Sequence, residues 1–118
     1  MENWNWPNVS KDDWGPIGWN WIHLMSIEYK INPIIEDAKL TYKRIWNFIK
    51  NIPCVECRTH ATRYMILNPP NLHSNISLQI WSFNFHNSVN KRIKKQIMSF
   101  KDYQKKYENE ITKHNIKF

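Results

Sequence analysis

Apolar residues recur along this chain at intervals of three and four positions, and almost no segment alternates apolar and polar residues with period two. Spacing of this kind is typical of amphipathic α-helices rather than of β-strands. The pattern predicts four helices, separated by proline-containing sequences that disfavour helix. They run from Ser10 or Asp12 to about Lys30, from Ile35 to Ile52, from Cys54 to about Leu67, and from Ser74 or Asn75 to about Ile97.

A fifth and more highly charged helix is predicted from Ser99 or Lys101 to about Lys113, and we expect it to be a surface helix with a frayed end. Short connections between four amphipathic helices predict an all-α fold, a four-helix bundle with a short fifth helix. At 118 residues and with no long linker, we expect a single domain over residues 1–118, in which residues 99–118 form a charged C-terminal helix and tail.

Composition adds two features to this picture. Seven Trp, five Tyr and five Phe predict either a core of large rings or rings stacked on a planar ligand. Seventeen Lys and Arg against ten Asp and Glu give a net charge of +7. Such a charge attracts polyanions, namely nucleic acid, an acidic partner or the phosphates of a nucleotide cofactor.

The N-terminus has no basic segment followed by an apolar one, so a secretory signal peptide is not predicted. No apolar run approaches the ~20 residues that a membrane-spanning helix needs. We therefore expect a soluble, cytoplasmic protein with no transmembrane segment.

Two cysteines, Cys54 and Cys57, are the only cysteines in the chain. Any internal disulfide must join them, and a bridge that closes so short a loop adds little stability. At the start of the third predicted helix, the helix dipole favours a thiolate at Cys54. Three interpretations stay open: a redox-active disulfide, which the spacing favours; a zinc site with His60 and either His23 or His86; or two reduced structural thiols.

A second candidate group lies between Trp81 and Lys95 on the fourth predicted helix. His86 and Asn90 are i, i+4 neighbours, and Asn87 lines the adjacent strip. Aromatic residues precede this polar surface and lysines follow it, which suits a flat ring system that carries a pyrophosphate. A solvent-exposed helix face is the alternative interpretation.

A third group lies on the first predicted helix. Gly15 and Gly18 are the only glycines of the chain, and Trp19 and His23 are i, i+4 neighbours. Taken alone, these would be core residues near a helix start. Because glycine lacks a Cβ atom, a ligand or a backbone segment can approach closely there.

Three blocks resemble, in order, the motifs of the Erv/ALR family of FAD-linked sulfhydryl oxidases. They are Gly-x-x-x-Trp-x-x-x-His (Gly15, Trp19, His23), an aromatic residue shortly before Pro-Cys-x-x-Cys (Phe48, Pro53, Cys54, Cys57), and His-Asn-x-Val-Asn followed by lysine (His86, Asn87, Val89, Asn90, Lys91). The resemblance covers roughly residues 13–105, which we take as the core of the domain. It implies a four-helix bundle with a short fifth helix, FAD at the mouth of the bundle, and a homodimer.

The resemblance also implies residue roles. Cys57 would be the sulfur that faces the flavin, and Cys54 the exposed sulfur that a client thiolate attacks. Trp81 would lie near the adenine, and Lys91 and Lys95 near the diphosphate. The full set of implied cofactor-binding residues is Gly15, Gly18, Trp19, His23, Tyr29, Phe48, Trp81, His86, Asn87, Val89, Asn90, Lys91 and Lys95.

The chain departs from the family pattern in two places. Pro16 and Gly18 stand where members commonly have Arg or Lys and Ser or Thr, and the second cysteine pair or structural disulfides of many relatives are missing. We therefore expect stability to rest on packing and on bound FAD. We also expect Cys54 to react directly with its client.

The implied activity is that of an FAD-dependent thiol oxidase, which forms disulfides in client proteins with reduced dithiols and passes the electrons to O₂ to give H₂O₂. The short chain is most similar to family members of large cytoplasmic DNA viruses. The clients would then be virion proteins oxidised in the host cytoplasm, with a viral thioredoxin-like carrier as one candidate. The alternative is a small basic nucleic-acid-binding module that uses residues 91–95, or a zinc-stabilised adaptor.

Overall fold

A computed structural model describes residues 4–118 of the chain. This part of the molecule contains six α-helices and no strand, so the predicted all-α fold is confirmed. The helices are α1 (Lys11–Glu28), α2 (Ile35–Lys50), α3 (Val55–Leu67), α4 (Asn75–Arg92), α5 (Phe100–Lys106) and α6 (Glu108–Lys113). Along these residues, no helix is both long enough and apolar enough to cross a bilayer.

Helix α4 ends at Arg92, so its predicted end near Ile97 is wrong. Lys94 has a positive φ of 59°. The N–H of Lys95 donates to the carbonyl of Asn90 over 2.8 Å, and the N–H of Lys94 donates to the carbonyl of Lys91. These two bonds form a Schellman motif, which satisfies the last carbonyls of the helix and turns the chain away. Lys94 and Lys95 occupy the positions of this motif, and the glycine that usually marks such a helix end in a sequence is absent from them.

The predicted fifth helix is two helices, because the chain turns at Tyr107 between α5 and α6. The expectation of a frayed surface helix is also wrong. Tyr103 is fully buried, and Tyr107 and Ile111 are nearly so. Their spacing of four residues continues across the turn, so all three side chains reach the interior.

The helices enclose two apolar clusters. Helix α1 packs mainly along α4, and α2 pairs with α3. The first cluster lies between these four helices and is rich in aromatic rings: Trp14, Trp21, Ile22, Met25, Tyr29, Ile45, Phe48, Ile49, Ile52, Ala61, Met65, Leu78, Trp81 and Phe85. The second cluster lies where α5 and α6 cover one side of α1 and α4: Ile27, Tyr103, Tyr107, Ile111 and Ile116.

Residues 4–7, here called the N-terminal strap, pack across α1 and α2 ahead of the first helix. The Trp6 indole N–H donates to the carbonyl of Phe48 over 2.9 Å. The Trp6 ring also lies directly on Gly18, where a Cβ atom would stand only 2.6 Å from two ring carbons. Gly18 therefore permits a close approach, as expected, but the approaching group is a tryptophan of this chain.

A buried chain of polar side chains joins the end of α1 to α4 and α5. The Tyr103 hydroxyl donates to the Gln79 side chain over 2.6 Å, and the Gln79 amide donates to the Asn75 side chain over 2.6 Å. The Asn75 amide in turn donates to the carbonyl of Ile27 over 2.8 Å. Each buried polar group has a partner, so this row of hydrogen-bonded side chains fixes the position of α5 specifically.

Candidate active site

The two cysteines open helix α3. Cys54 is the N-cap residue with an extended backbone, and Cys57 lies in the first turn. The backbone N–H of Cys57 donates to the Cys54 sulfur over 3.2 Å. Both residues are partly exposed free thiols at the edge of the first cluster. The pair therefore lies where a helix N-terminus favours a negative sulfur and where a large partner can reach it.

The two thiols differ in ionisation. The Cys57 thiol and then its backbone N–H, both hydrogen-bonded to the Cys54 sulfur, lower the pKa of Cys54. Burial, followed by the neighbouring Cys54, raises the pKa of Cys57. Cys54 should therefore ionise first, and its sulfur is the less buried of the two.

At the other end of the site, α1 and α4 contribute a pair of histidines. The distance from His23 Nε2 to His86 Nδ1 is 2.9 Å, so the two rings share one hydrogen bond. Trp19, one turn before His23, stacks on His86 with ring centroids 4.1 Å apart and planes 9° apart. Tyr103 and Tyr107 also pack against His23, with centroid distances of 5.2 and 5.3 Å.

The histidine pair is neutral at pH 7. Burial lowers the pKa of His23 to about 3 and that of His86 to about 4. The positive charge of Lys106 adds to the effect at both rings, and that of Lys95 adds to it at His86. Among the described residues, His23 Nδ1 is one of few buried polar atoms with no hydrogen-bond partner.

A cleft of about 220 Å³ opens between α3 and α4. Tyr64 and Phe85 form an aromatic wall, with rings stacked at a centroid distance of 5.1 Å. Cys57 and Tyr64 lie seven residues apart, which places them on the same face of α3. Trp19 meets the edge of Phe85 at 5.0 Å, so aromatic rings connect this face to the histidine pair. The remaining lining residues are His60, Arg63, Leu67, Asn68, Ser88, Val89 and Arg92.

Several predicted site residues come together around this cleft and the histidine pair. Trp19, His23 and His86 are in mutual contact, and Val89 lines the cleft. Trp81 lies behind the wall, stacked on Phe85 at 5.4 Å, and its indole N–H donates to the carbonyl of Asn68.

Four other predicted residues lie away from the cleft. Gly18 is covered by Trp6, and Phe48 is buried against Trp6 and Trp21. The Tyr29 hydroxyl donates to the carbonyl of Leu72, which ties the end of α1 to the loop before α4. Gly15 has open space where its Cβ atom would be. Their roles in binding stay predictions, and the contacts of the first three belong to the protein interior.

The polar strip of α4 is partly engaged by the protein itself. The Asn87 amide donates to the carbonyl of Met98 over 2.8 Å, and its carbonyl accepts from the N–H of Met98 over 2.9 Å. Asn87 thus holds the segment that follows α4. Asn90 is buried beside it, whereas Lys91 and Lys95 are exposed. The binding roles expected for these four side chains stay predictions.

The structure adds residues that the sequence motifs did not reveal. Tyr64, Tyr103, Tyr107 and Lys106 approach the cleft or the histidine pair, and Lys11 approaches the cysteines. One signal could have pointed to the C-terminal helices. Residues 91–118 contain nine Lys and Arg against three Asp and Glu, so six of the seven net positive charges lie there.

Metal binding finds no support in this geometry. In the described range, no three His, Cys, Asp or Glu side chains converge as a metal site would require. His60 points toward Glu56 instead, with 3.9 Å between the imidazole Nε2 and the carboxylate. The zinc interpretation of the cysteine pair therefore lacks its further ligands.

Comparison with known proteins places the chain among sulfhydryl oxidases. It is 40% identical to the FAD-linked sulfhydryl oxidase of African swine fever virus over 100 residues, which cover 85% of this chain and 84% of that protein. It is 32% identical to the probable FAD-linked sulfhydryl oxidase of Acanthamoeba polyphaga mimivirus, with 78% of this chain and 66% of that protein covered.

The fold is similar to that of the FAD binding domain of Erv1 from Saccharomyces cerevisiae. The TM-score is 0.81 at 21% sequence identity, and the match covers 87% of this chain and 98% of that domain. At this identity the likeness establishes the helical fold alone. A model of the Erv1 / Alr family matches residues 17–108, which include both cysteines and both histidines of the site. The chain belongs to the Erv1 / Alr family.

Proposed function

We propose that this protein is an FAD-dependent thiol oxidase that introduces disulfides into client proteins. The observation that carries the proposal is the Cys54–Cys57 pair at the start of α3, partly exposed and on the helix face that leads into an aromatic cleft. The 40% identity to a viral FAD-linked sulfhydryl oxidase over most of the chain supports the same activity.

The residues of the site fit a flavin dinucleotide. Stacked rings at the cleft offer a surface for a flat heterocycle, and the buried His23 Nδ1 is a polar atom that a ligand can satisfy. Arg63 and Arg92 at the cleft, and Lys106 near the histidine pair, supply positive charge for a diphosphate. The cleft of about 220 Å³ accommodates one part of the cofactor, so the Trp19–His86 stack would have to adjust for the rest.

When bound, FAD supplies the acceptor that takes two electrons from the cysteine pair and, as we propose, transfers them to O₂ to give H₂O₂. The protein positions the cofactor and the cysteine pair relative to each other. Tyr64 and Phe85 would hold the ring system along α3, and neutral histidines would contribute hydrogen bonds without adding charge. Cys57, the more buried sulfur, lies on the α3 face that also carries Tyr64.

Thiol–disulfide exchange would take place at Cys54. A client thiolate attacks the Cys54 sulfur of the Cys54–Cys57 disulfide, so that a client–Cys54 bond forms and Cys57 leaves as a thiolate. A second client thiolate then attacks the client sulfur of that bond and releases Cys54. The client has become a disulfide, and the cysteine pair has become a dithiol.

A spectrum and an oxygen-consumption assay test the proposal. The purified protein should absorb near 450 nm and consume O₂ when a dithiol is added. The Cys57→Ser variant should keep its absorbance but lose dithiol-dependent consumption, whereas Lys113→Gln, at the exposed last residue of α6, should retain both. A colourless protein from native expression, or parental turnover by Cys57→Ser, would refute the function.

We further propose that the clients are virion proteins that fold in the host cytoplasm, where small thiols otherwise keep cysteines reduced. A thioredoxin-like viral carrier is one such client. Similarity to viral oxidases and the accessible Cys54 support this proposal. The Cys57→Ser variant should trap clients as mixed disulfides at Cys54 in infected cells. Recovery of no trapped viral protein would count against it.

The homodimer stays a proposal as well. Ile34, Ile35 and Leu40 are about half exposed or more at the start of α2, which gives a second copy an apolar surface to cover. Light scattering of the eluted protein at micromolar concentration should give twice the monomer mass of 14.4 kDa. A monomer at that concentration would contradict the proposal.

A further inference from the structure

The solvent-facing side of α2 carries lysines and aromatic rings that no step of the proposed mechanism uses. Buried residues of α2, such as Thr41 and Phe48, lie on the opposite side of the helix. Residues three, four and seven positions apart share a helix face. That spacing places five side chains in one row, here called the α2 strip: Lys39, Tyr42, Lys43, Trp46 and Lys50.

The aromatic part of the α2 strip is held in place. Trp46 is partly buried and packs against the first cluster. Tyr42 is 42% exposed and meets the Trp46 ring edge-on, with centroids 6.4 Å apart and planes 81° apart. The Lys50 ammonium group lies 5.6 Å from the centroid of the Trp46 ring. The strip therefore presents an ordered apolar surface with positive charge along it.

The lysines of the α2 strip have no carboxylate partner in the part of the chain that the structure describes. The ion pairs there are Lys30–Asp37 at 3.2 Å and His60–Glu56 at 3.9 Å. The acidic residues of α2, at positions 36 and 37, both lie in its first turn. Three positive charges along the helix are thus available to the carboxylates of a partner.

The α2 strip ends close to the cysteine that a client attacks. Helices α2 and α3 pack as a pair, and four residues separate Lys50 from Cys54, so their Cα atoms are at most ~14 Å apart. Val55, the residue after Cys54, is 66% exposed. The end of the strip and the partly exposed Cys54 therefore lie at the same end of the α2–α3 pair.

We propose that the α2 strip is a docking surface for client proteins, which binds an extended client segment rich in carboxylates close to the client's reactive cysteine. The inference rests on the proposed function and deepens it by naming a feature of the client sequence. From Lys39 to Lys50 the helix rises about 16 Å, the length of about five extended residues. The gap to Cys54 takes about four more.

Charge also distinguishes a client from a second copy of this chain at the α2 strip. A copy related by a two-fold axis would place Lys39, Lys43 and Lys50 against the same lysines, and like charges in contact disfavour association. An acidic segment instead pairs with them, and one large apolar side chain within it would cover the exposed edge of Trp46.

Dithiol peptides of equal composition test this position. In one, a block of glutamates with a single leucine stands about four residues from the cysteines; in the other, a Gly–Ser spacer separates the block from them. The KM of the parent for the first peptide should be about tenfold lower, and the difference should shrink in high salt. Equal KM values for the two peptides would overturn the inference.

Two triple variants with the same change in net charge locate the effect. Lys39→Glu/Lys43→Glu/Lys50→Glu should lose the preference and still oxidise dithiothreitol at close to the parental rate. Lys101→Glu/Lys105→Glu/Lys113→Glu, at exposed lysines of α5 and α6, should keep both properties. Circular dichroism checks that each variant folds, and Lys43→Glu alone should reduce the preference about twofold. Equal loss in both triple variants would show that overall charge, not the α2 strip, attracts clients.

A binding assay separates this inference from the proposed function. The probe is a fluorescent acidic peptide with serines in place of its cysteines, and polarisation measures its binding without turnover. The α2 triple variant should bind the probe about tenfold more weakly than the α5–α6 variant does. Equal binding, or no binding by the parent, would overturn docking even in a flavin-containing, active protein. A protein without flavin or turnover would instead refute the proposed function, while polarisation would still report on the α2 strip.

Discussion

The two ends of the candidate site differ in solvent exposure and in the ionisation of their side chains. At the cysteine end, Cys54 and Cys57 are partly exposed at the start of α3. At the histidine end, His23 is fully buried, and His86 is clamped between it and Trp19. One end is open to macromolecules, and hydrogen bonds from Cys57 lower the pKa of its Cys54 thiol. The other is dry, aromatic and neutral.

This difference separates two tasks. Exchange with a protein client requires a reachable sulfur whose charge can change during the reaction. Retention of a planar cofactor requires a rigid surface whose groups do not change charge near neutral pH. Phe85 and Tyr64 lie between the two ends, because their stacked rings connect the Trp19–His86 stack to the α3 face that carries Cys57.

The largest expected effect is a separation of function between the ends. Cys54→Ser should lower dithiol-dependent turnover by at least about 10³-fold because the attacked sulfur is gone, yet leave flavin per protein unchanged. His86→Ala should lower flavin per protein, yet leave alkylation of the reduced cysteines as in the parent. Absorbance, oxygen consumption and alkylation of each variant check this. Loss of flavin in Cys54→Ser would show that the two ends are not independent.

The histidine end should also make the protein sensitive to acid. The folded pKa values of about 3 and 4 lie below the ordinary value, so between pH 6.5 and 4 the unfolded chain binds more protons. At pH 7, above this window, the histidine pair should therefore not reduce the free energy of unfolding. It should fall as pH drops through this window, by up to about 1.4 kcal/mol per pH unit for each histidine.

Urea denaturation at pH 7, 5.5 and 4.5 measures this slope. His23→Gln should flatten it, whereas His73→Gln, on the exposed loop before α4, should leave it as in the parent. A slope that is the same in the His23→Gln variant would show that this pair does not control acid stability.

The cysteine end was accessible to sequence analysis, and much of the histidine end was not. Cys-x-x-Cys is a local motif, and Pro53 before it marks a helix start, so position and chemistry follow from five neighbouring residues. The His23–His86 contact joins residues 63 positions apart. The spacing of each motif on its own helix was readable, but the contact depends on how α1 crosses α4.

The C-terminal helices show why some buried residues could not be predicted from the sequence. Tyr103 and Tyr107 stand among lysines, and a pattern dominated by charge predicts a surface helix. The structure buries both tyrosine rings, and their hydroxyl groups bond to the buried Gln79 and to Asn20 at the surface. A residue that carries both a large ring and a hydroxyl can pair with distant side chains, and no local pattern reveals such a pairing.

The burial of Tyr103 leads to a smaller expected effect. Tyr103→Phe removes the donor to Gln79, whose side chain has no solvent exposure, so the stranded acceptor should cost about 1–3 kcal/mol of unfolding free energy. Tyr107→Phe removes a longer bond of 3.2 Å to the exposed Asn20 and should cost less than about 1 kcal/mol. Urea denaturation at pH 7 compares the two variants. Equal losses would mean that the buried chain through Gln79 does not contribute specifically.

The smallest expected effect concerns the strap behind the cysteine end, and the two glycines of α1 provide a matched pair. Gly15→Ala meets nothing within 4 Å and should raise the free energy of unfolding by about 0.5–1 kcal/mol, because alanine is the better helix former. Gly18→Ala gains the same propensity but would place its Cβ atom 2.6 Å from the Trp6 ring. Trp6 must then retreat from Phe48 and Trp14, so we expect a net loss of about 1–2 kcal/mol.

Tryptophan fluorescence tests the contact on which this comparison depends. If Trp6 occupies the space over Gly18, then Gly18→Ala should shift the emission maximum, and Gly15→Ala should not. A stabilised Gly18→Ala protein with parental fluorescence would mean that Trp6 does not occupy this space in solution. The start of α1 would then be held without the strap, and the cysteine end would be less preorganised than the histidine end.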